Sequence, residues 1–260
     1  MNKQATLLAV DTSTATMAGA IMSGDKLLAS VQTESERNHS IHIMTNIETM
    51  LKASKLDVNE LDGIIAGIGP GSYTGVRIAV TAAKTLAWTC RKPLIGVSSL
   101  AALAFSGVFV EKQQLDHAVV LPIMDARRGQ VYTAAFEINA ASAQSRRLHQ
   151  DHIVLMEQWC QLWEVQLAEL KARGVSCIAI FGDVALHADA ISSLEQTAAQ
   201  YGIAVLAAAH AMSGRALAEL GQGQWLEERI MPTEPHELVP NYAQLTEAEV
   251  KQNAKEREEG

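Results

Sequence analysis

Short apolar runs separated by turn residues open the chain. Residues 7–10, 17–22 and 26–32 are bounded by Ser, Thr, Gly and Asp positions, and this pattern predicts three strands of an antiparallel meander. Apolar residues then recur at helical spacing from Ile43 to Leu51, which predicts an amphipathic helix. A continuous apolar run at 63–68 indicates a strand that is buried on both faces.

A strand-rich start followed by alternating helices and strands occurs twice along the chain. The first copy ends with a helix at 76–89, a strand at 94–97 and a helix that Ser98 or Ser99 can cap. The second copy begins near residue 114, and it repeats the order of elements but not the residues. Its predicted strands lie at 118–124, 130–138, 177–181 and 203–206, and its predicted helices at 156–173, 185–200 and 213–220.

This repeated order favours an α/β fold with two actin-like lobes, the ASKHA or RNase H-like architecture, in which each lobe is a mixed sheet with flanking helices. A single doubly wound α/β domain is the alternative. We expect residues 1–105 with 207–231 to form the N-terminal lobe and residues 106–206 to form a second, divergent lobe. Three of the six prolines lie in 232–240, so residues 232–260 are expected to form an extended C-terminal arm and tail.

Composition limits the classes of partner. The net charge is −8, so the chain has no general field for phosphate groups, and we do not expect it to bind nucleic acid tightly by itself. Three cysteines without a CxxC motif favour a reducing cytoplasm over a disulfide framework or a zinc knuckle. The sequence shows no signal-peptide pattern and no membrane-length apolar run, so we expect a cytoplasmic protein that does not contact a membrane.

The strongest local signal is the segment 69–77, Gly-Pro-Gly-Ser-Tyr-Thr-Gly-Val-Arg, at a strand-to-helix turn. Glycines there permit positive φ and close backbone approach, and the following helix start can receive an anion. The alternative is a tight turn that lets helix and strand pack closely, because no Gly-Lys-Ser/Thr follows as in a P-loop. The candidate anion or nucleotide contacts are Asp11, Thr12, Ser13, Gly69, Gly71, Ser72, Thr74 and Arg77.

The helix after this loop is apolar around most of its circumference. Such a helix is buried, so either other helices or a second chain must cover it. Its small residues allow another helix to approach closely, and we expect a partner there. The predicted interface consists of Ile43, Ile47, Met50, Val76, Val80, Ala83 and Ala87.

Three motifs resemble those of the TsaB family of bacterial tRNA-modification proteins: Leu-Ala-Val-Asp-Thr-Ser-Thr at 8–14, the segment 69–77, and Asp-Ala-Arg-Arg-Gly-Gln-Val-Tyr at 125–132. Their order and separations also match, and the resemblance covers about residues 5–245. It implies the actin-like fold, partnership with TsaD and TsaE, and a share in forming N6-threonylcarbamoyladenosine at position 37 of ANN-decoding tRNAs. Tyr242 is followed by Ala243-Gln244, where the family pattern has Leu-Arg.

The resemblance also bears on catalysis. Actin-like ATPases carry Asp-x-Gly in their first phosphate loop, whereas this chain has Asp11-Thr12-Ser13. The turns at 125–129 and 181–184 hold one glycine each, so the nucleotide site is expected to be degenerate. We therefore expect no cofactor of its own, with ATP used by the complex. His39 and His42 are one residue short of the paralogue's metal-binding spacing, and no metal site is expected.

The sequence thus favours a non-catalytic dimerisation or scaffold subunit that acts with TsaD and TsaE. Arg127 and Arg128 are candidate contacts to tRNA or to a partner inside the complex. The enzyme alternative is a glycoprotease-like metallopeptidase or a small-molecule kinase of the actin-like superfamily. A homodimer that covers the same apolar face is the third hypothesis.

Overall fold

The computed structural model describes residues 4–34, 39–140, 142, 144–226 and 234–243. Within them, two five-stranded sheets are each flanked by helices. This agrees with the predicted α/β fold of two lobes. The boundaries expected for the lobes stay a prediction.

The first sheet begins with the antiparallel meander that the sequence predicts. Strands β1 (Thr6–Asp11), β2 (Thr16–Ser23) and β3 (Lys26–Glu34) pair in order, and helix α1 (His39–Ser54) follows. Strand β4 (Gly63–Gly67) lies parallel to β1, and β5 (Leu94–Val97) lies parallel to β4. Helix α2 (Tyr73–Cys90) connects these two strands, and α3 (Ser99–Glu111) comes after β5.

The second sheet has the same topology. Strands β6 (His117–Asp125), β7 (Gln130–Asn139) and β8 (Gln144–Leu155) form an antiparallel meander, which is followed by α4 (Met156–Ala172). Strand β9 (Cys177–Gly182) pairs parallel to β6, and β10 (Ala204–Ala208) pairs parallel to β9. Helix α5 (Ala188–Ala199) joins β9 to β10, and α6 (Gly214–Leu226) ends the second copy.

The sequence pattern does not predict β8, and the reason lies in its composition. The strand reads Gln-Ser-Arg-Arg-Leu-His-Gln-Asp-His-Ile-Val-Leu, so most of its residues are polar. Its residues are exposed or half-buried, as expected for an edge strand that pairs only with β7. A strand of this kind lacks the apolar alternation on which sequence prediction depends.

The described helices and sheets stack in five layers: α1–α2, the first sheet, α3 with α6, the second sheet, and α4–α5. Buried side chains between them form three cores. One core fills the space between α1–α2 and the first sheet, and another fills the space between the second sheet and α4–α5. The central core contains α3 and α6, which lie between the two sheets. Helix α6 packs on β1 and β2 although it follows the whole second sheet in the chain.

The predicted interface residues lie in the core between α1–α2 and the first sheet. All seven are at most 3% exposed, and Ala83 and Ala87 are fully buried. The expectation that a partner chain covers them is therefore wrong, since they are already buried in the single chain. The sheet covers the apolar side of α2, because every strand of this sheet is itself apolar toward the helices. The residues that belong to this core and not to an interface are Ile43, Ile47, Met50, Val76, Val80, Ala83 and Ala87.

A carboxylate hub ties the second lobe together. Glu137 on β7 accepts hydrogen bonds from Arg146 on β8 at 2.7 Å and from Arg173 beyond α4, and its Oε1 lies 2.9 Å from His117 Nε2 on β6. Burial opposes ionisation, but the hydrogen bonds from Arg146, Arg173 and His117 outweigh it and lower the pKa of Glu137 to about 2. The ionised side chain thus links three strands to the end of a helix.

A glutamate at position 83 is expected to prevent stable folding. Ala83 is fully buried, so Ala83→Glu places an unpaired carboxylate in the core, at a cost of several kcal/mol (about 3–5) in the free energy of unfolding. Thr81→Glu, on the exposed side of the same helix, should change stability by no more than about 0.5 kcal/mol. Circular dichroism melts of both variants check this. A folded Ala83→Glu protein with an unchanged melting temperature would contradict the burial.

Removing the hub's charge should destabilise the fold and flatten its acid response. Because the pKa of Glu137 is lowered to about 2, its stabilisation is present above its usual value of 4.5 and is lost as pH falls through about 2. Glu137→Gln should cost about 1.5–3 kcal/mol at neutral pH, the range for hydrogen bonds to charged groups. Urea unfolding between pH 7 and pH 2 measures both effects.

Glu169 provides the matched control, since it also contacts Arg173 but is 69% exposed in its side chain. Glu169→Gln should cost less than about 0.5 kcal/mol. Equal losses in the two variants would show that the hub contributes nothing beyond an exposed ion pair.

Candidate functional site

A buried carboxylate lies at the end of β1, where the actin-like fold would place its first phosphate loop. The backbone N–H of Ser13 donates to Asp11 Oδ1 at 2.6 Å, and the hydroxyl of Ser99 donates to Asp11 Oδ2 at 2.5 Å. The same Ser99 oxygen accepts the N–H of Gly69 at 2.9 Å. Asp11 therefore caps its own turn and joins β1 to the start of α3 and to the glycine-rich loop, as a turn-capping carboxylate does.

The glycines of this region allow the glycine-rich loop to lie against the chain itself. A Cβ at Gly67 would be 1.6 Å from Asp11 Oδ2, and one at Gly75 would be 1.9 Å from the carbonyl oxygen of Thr12. Thr12 Oγ1 also donates to the carbonyl of Gly75 at 2.6 Å. The close approach that glycine permits is thus used between β1 and α2, which matches the tight-turn interpretation.

Some of the candidate anion contacts are buried and others are exposed to solvent. Asp11, Thr12 and Ser13 are at most 2% exposed beneath the loop, and Gly69 is also buried. These three residues are shielded from solvent in this structure, and a ligand contact by the set stays a prediction. The side chain and carbonyl of Ser13 lie against Gly71, where a Cβ would be 2.5 Å from the carbonyl oxygen of Ser13. The solvent-exposed members are Ser72, Thr74 and Arg77.

Arg127 and Arg128 lie in the turn between β6 and β7. Both are exposed and have positive φ angles of 66° and 54°, which non-glycine residues adopt rarely. Arg128 lines a cavity of about 480 Å³ with His187 and the start of α5. Exposure agrees with a contact to tRNA or to a partner, and that contact stays a prediction.

Helices α1 and α2 have an outer face that points away from the sheet. On α2, the exposed residues Tyr73, Arg77, Thr81 and Trp88 follow one another at intervals of four, four and seven residues, which places them on one side of the helix. Trp88 is 76% exposed, Tyr73 50%, and Met44 on α1 48%. The residues between them, Ile78, Ala82 and Leu86, are half-buried. We call this surface, from Met44 to Trp88, the outer face.

Residues 234–243, which we call the strap, cross the outer edge of α2. Lys84 donates to the carbonyls of His236 and Leu238, at 3.1 and 3.0 Å. At the far end, Arg77 Nε donates to Tyr242 Oη at 2.9 Å. Sequence analysis predicts an extended arm here but not its position against α2. Pro240-Asn241-Tyr242 is the signal that could have located it.

The described residues hold no group of three or more His, Cys, Asp or Glu side chains that could bind a metal. His42 is exposed, and the side chain of His39 lies outside the described residues. Within the described ranges, no helix is long and apolar enough to cross a membrane.

Comparison with solved structures supports the fold. YeaZ from Pseudomonas aeruginosa has a TM-score of 0.69 at 22% identity, over 92% of this chain and 99% of that one. A second Pseudomonas aeruginosa structure, of an uncharacterized protein with similarity to peptidase YEAZ, has a TM-score of 0.72 at 22% identity, over 92% and 100%. A ROK hexokinase from Thermus thermophilus reaches 0.50 at 11% identity, over 86% and 100%. The expected actin-like fold is confirmed.

Sequence comparison identifies the family. The family model described as TsaD, tRNA N6-adenosine threonylcarbamoyltransferase, matches residues 26–252. The tRNA threonylcarbamoyladenosine biosynthesis protein TsaB of Bacillus subtilis is 34% identical over 95% of this chain and 97% of its own length. The protein of the same name from Escherichia coli is 32% identical over 50% of this chain and 54% of its own length. The chain therefore belongs to the TsaB family of tRNA threonylcarbamoyladenosine biosynthesis proteins.

Proposed function

We propose that this chain is a scaffold subunit of the machinery that forms N6-threonylcarbamoyladenosine at position 37 of ANN-decoding tRNAs. It does no chemistry alone, and it acts with a TsaD-type chain and with the ATPase TsaE. Membership of the TsaB family supports the pathway. The observation that supports the scaffold role is the outer face, an exposed and partly apolar helix surface with Trp88 76% exposed.

The outer face is suited to a protein partner. Exposed Trp, Tyr and Met side chains beside an arginine are the residue types that dominate binding energy in interfaces. Half-buried Ile78, Ala82 and Leu86 lie between them, so a partner helix can reach a continuous surface on α2. The proposed partner is a TsaD-type chain, which the TsaD model's match to α1 and α2 of this chain supports, since chains of one fold can pair through equivalent helices.

The region around Asp11 supports the non-catalytic role. Asp11 accepts hydrogen bonds from Ser13 and Ser99 and is fully buried, so it is not available to hold a metal-bound water or a phosphate group. ATP is then used by the complex through its partners. Contact of Arg127 and Arg128 with tRNA or with a partner would occur only within the assembled complex.

A homodimer is the second candidate. The outer face is exposed in the single chain, and a second copy related by a twofold axis offers a self-complementary cover. The two candidates differ in the protein that binds α2, which is a TsaD-type chain in the first and a second copy of this chain in the other.

A charge on the outer face should weaken binding of the partner without unfolding the chain. Trp88→Glu replaces a large exposed anchor by a carboxylate, and we expect affinity for the purified TsaD-type chain of the same organism to fall at least about tenfold. Titration calorimetry measures the affinity, and sedimentation of the lone variant measures self-association. Val165→Glu on α4, which is 85% exposed, is the control and should bind as the unchanged protein does.

The measurement has two contrary outcomes. Unchanged affinity of Trp88→Glu would place the interface elsewhere. A loss of self-association without any measurable binding to the TsaD-type chain would favour the homodimer.

Asp11 should matter for stability and not for turnover. Asp11→Ala leaves the Ser99 hydroxyl and the Ser13 N–H without their acceptor, which should lower the free energy of unfolding by about 2–4 kcal/mol. The lone chain should hydrolyse neither ATP nor peptides above a blank, with Mg²⁺ or Zn²⁺ present. Urea unfolding and a phosphate-release assay test both points. Turnover that Asp11→Ala abolishes in a folded protein would refute the scaffold role.

A further inference from the structure

The strap is held against the first lobe by a buried side chain and by several hydrogen bonds. Leu238 is 7% exposed and packs into the core under α2, where its Cδ1 would lie 2.7 Å from a Cβ at Gly96. The N–H of Asn241 donates to the carbonyl of Ile68 at 2.6 Å. With the two bonds from Lys84, these contacts fix the strap along α2 at several separate points. Its last described residues therefore have a defined position on the outer face.

That position brings two tyrosines and an arginine together at the start of α2. The rings of Tyr73 and Tyr242 have centroids 5.3 Å apart, and the guanidinium carbon of Arg77 lies 4.1 Å from the Tyr73 centroid and 5.7 Å from that of Tyr242. Both rings remain substantially exposed, at 50% and 44%. We call this group, Tyr73, Arg77 and Tyr242, the aromatic corner.

The chemistry of the corner selects a ligand class. Arg77 donates its Nε–H to Tyr242, and among the described residues no carboxylate pairs with its guanidinium. A guanidinium that lies over one ring and donates to a second tyrosine is restrained in position, so it loses less conformational entropy when it binds a carboxylate. Tyrosine beside arginine is also the composition of interface anchors. The corner therefore fits an acidic side chain that is presented within an apolar surface.

We propose that the strap completes the docking surface: the aromatic corner receives a carboxylate side chain of the TsaD-type partner, and Tyr242 is needed to form that site. The inference rests on the proposed function, because it names that partner as the occupant. It extends the outer face beyond α1 and α2 to a segment that lies more than 150 residues later in the chain, as the separation of Arg77 and Tyr242 by 165 positions shows. Asn241 also links the corner to the second lobe through Asp151 Oδ2, at 3.2 Å.

Affinity measurements on three variants of the aromatic corner and on two control variants test the proposal. Tyr242→Ala and Arg77→Ala should each weaken binding to the purified TsaD-type chain at least about tenfold, and the double variant should lose less than the sum of both, since the residues act together. One control is Tyr201→Ala, since Tyr201 is 40% exposed and lies outside the outer face. The other is Arg215→Ala, since Arg215 on α6 also lies over an aromatic ring, that of Phe109 on α3. Both controls should bind within about twofold of the unchanged protein.

Salt dependence identifies the carboxylate. Binding of the unchanged protein should weaken more steeply between low and high salt than binding of Arg77→Ala, because that variant has lost a charge pair at the interface rim. Leu238→Asp, which replaces the buried side chain that holds the strap, should reproduce the loss seen in Tyr242→Ala while circular dichroism shows a folded protein.

The outcomes separate this inference from the proposed function. If Trp88→Glu loses binding while Tyr242→Ala and Arg77→Ala bind normally, the scaffold function stands and the strap proposal is overturned. Loss in the corner variants supports the strap whatever Trp88→Glu does. Equal salt slopes would overturn the carboxylate. An effect confined to self-association would make a second copy the occupant, and absence of binding by the unchanged protein would overturn both.

Discussion

The arrangement of the first lobe depends on one buried carboxylate. Asp11 accepts from the Ser13 N–H and from the Ser99 hydroxyl, and Ser99 in turn accepts from Gly69. A buried carboxylate is costly unless its oxygens are satisfied, so these bonds constrain three segments at once. They fix the turn after β1, the start of α3 and the loop before α2. The direction of α2, and with it the outer face, follows from that constraint.

The same constraint packs the turn after β1 closely. The Ser13 side chain lies against Gly71 beneath the loop, where a Cβ would be 2.8 Å from the Cβ of Ser13. The second lobe repeats the topology and ends its first strand with Asp125, but that residue is half-exposed and its N–H donates to Asp183 at 2.7 Å. The same topology thus has a buried carboxylate at this position in the first lobe and a half-exposed one in the second.

Much of the fold could be predicted from the sequence, because apolar alternation and helical spacing are strong along both sheets. The polar edge strand β8 could not, since its pairing depends on β7 and not on its own pattern. The site was predicted less well. Apolar spacing on α2 identifies a buried side but not what covers it, so the sequence predicts a partner at Val80 and Ala83, where the structure has the chain's own sheet. The exposed Trp88 carries no periodic signal, and the strap's position depends on contacts 165 residues apart.

Helix α6 and the strap belong spatially to the first sheet but follow the second sheet in the chain. During synthesis, the first lobe therefore lacks a packing layer on the inner side of β1 and β2 until the second lobe has been made. Contacts of such large sequence separation are slow to form and couple the two lobes in folding. Because Tyr242 follows the whole second sheet in the chain, its contacts with Tyr73 and Arg77 cannot form until that sheet has been made. In the order of synthesis, the strap and its contacts with α2 are therefore completed after both sheets.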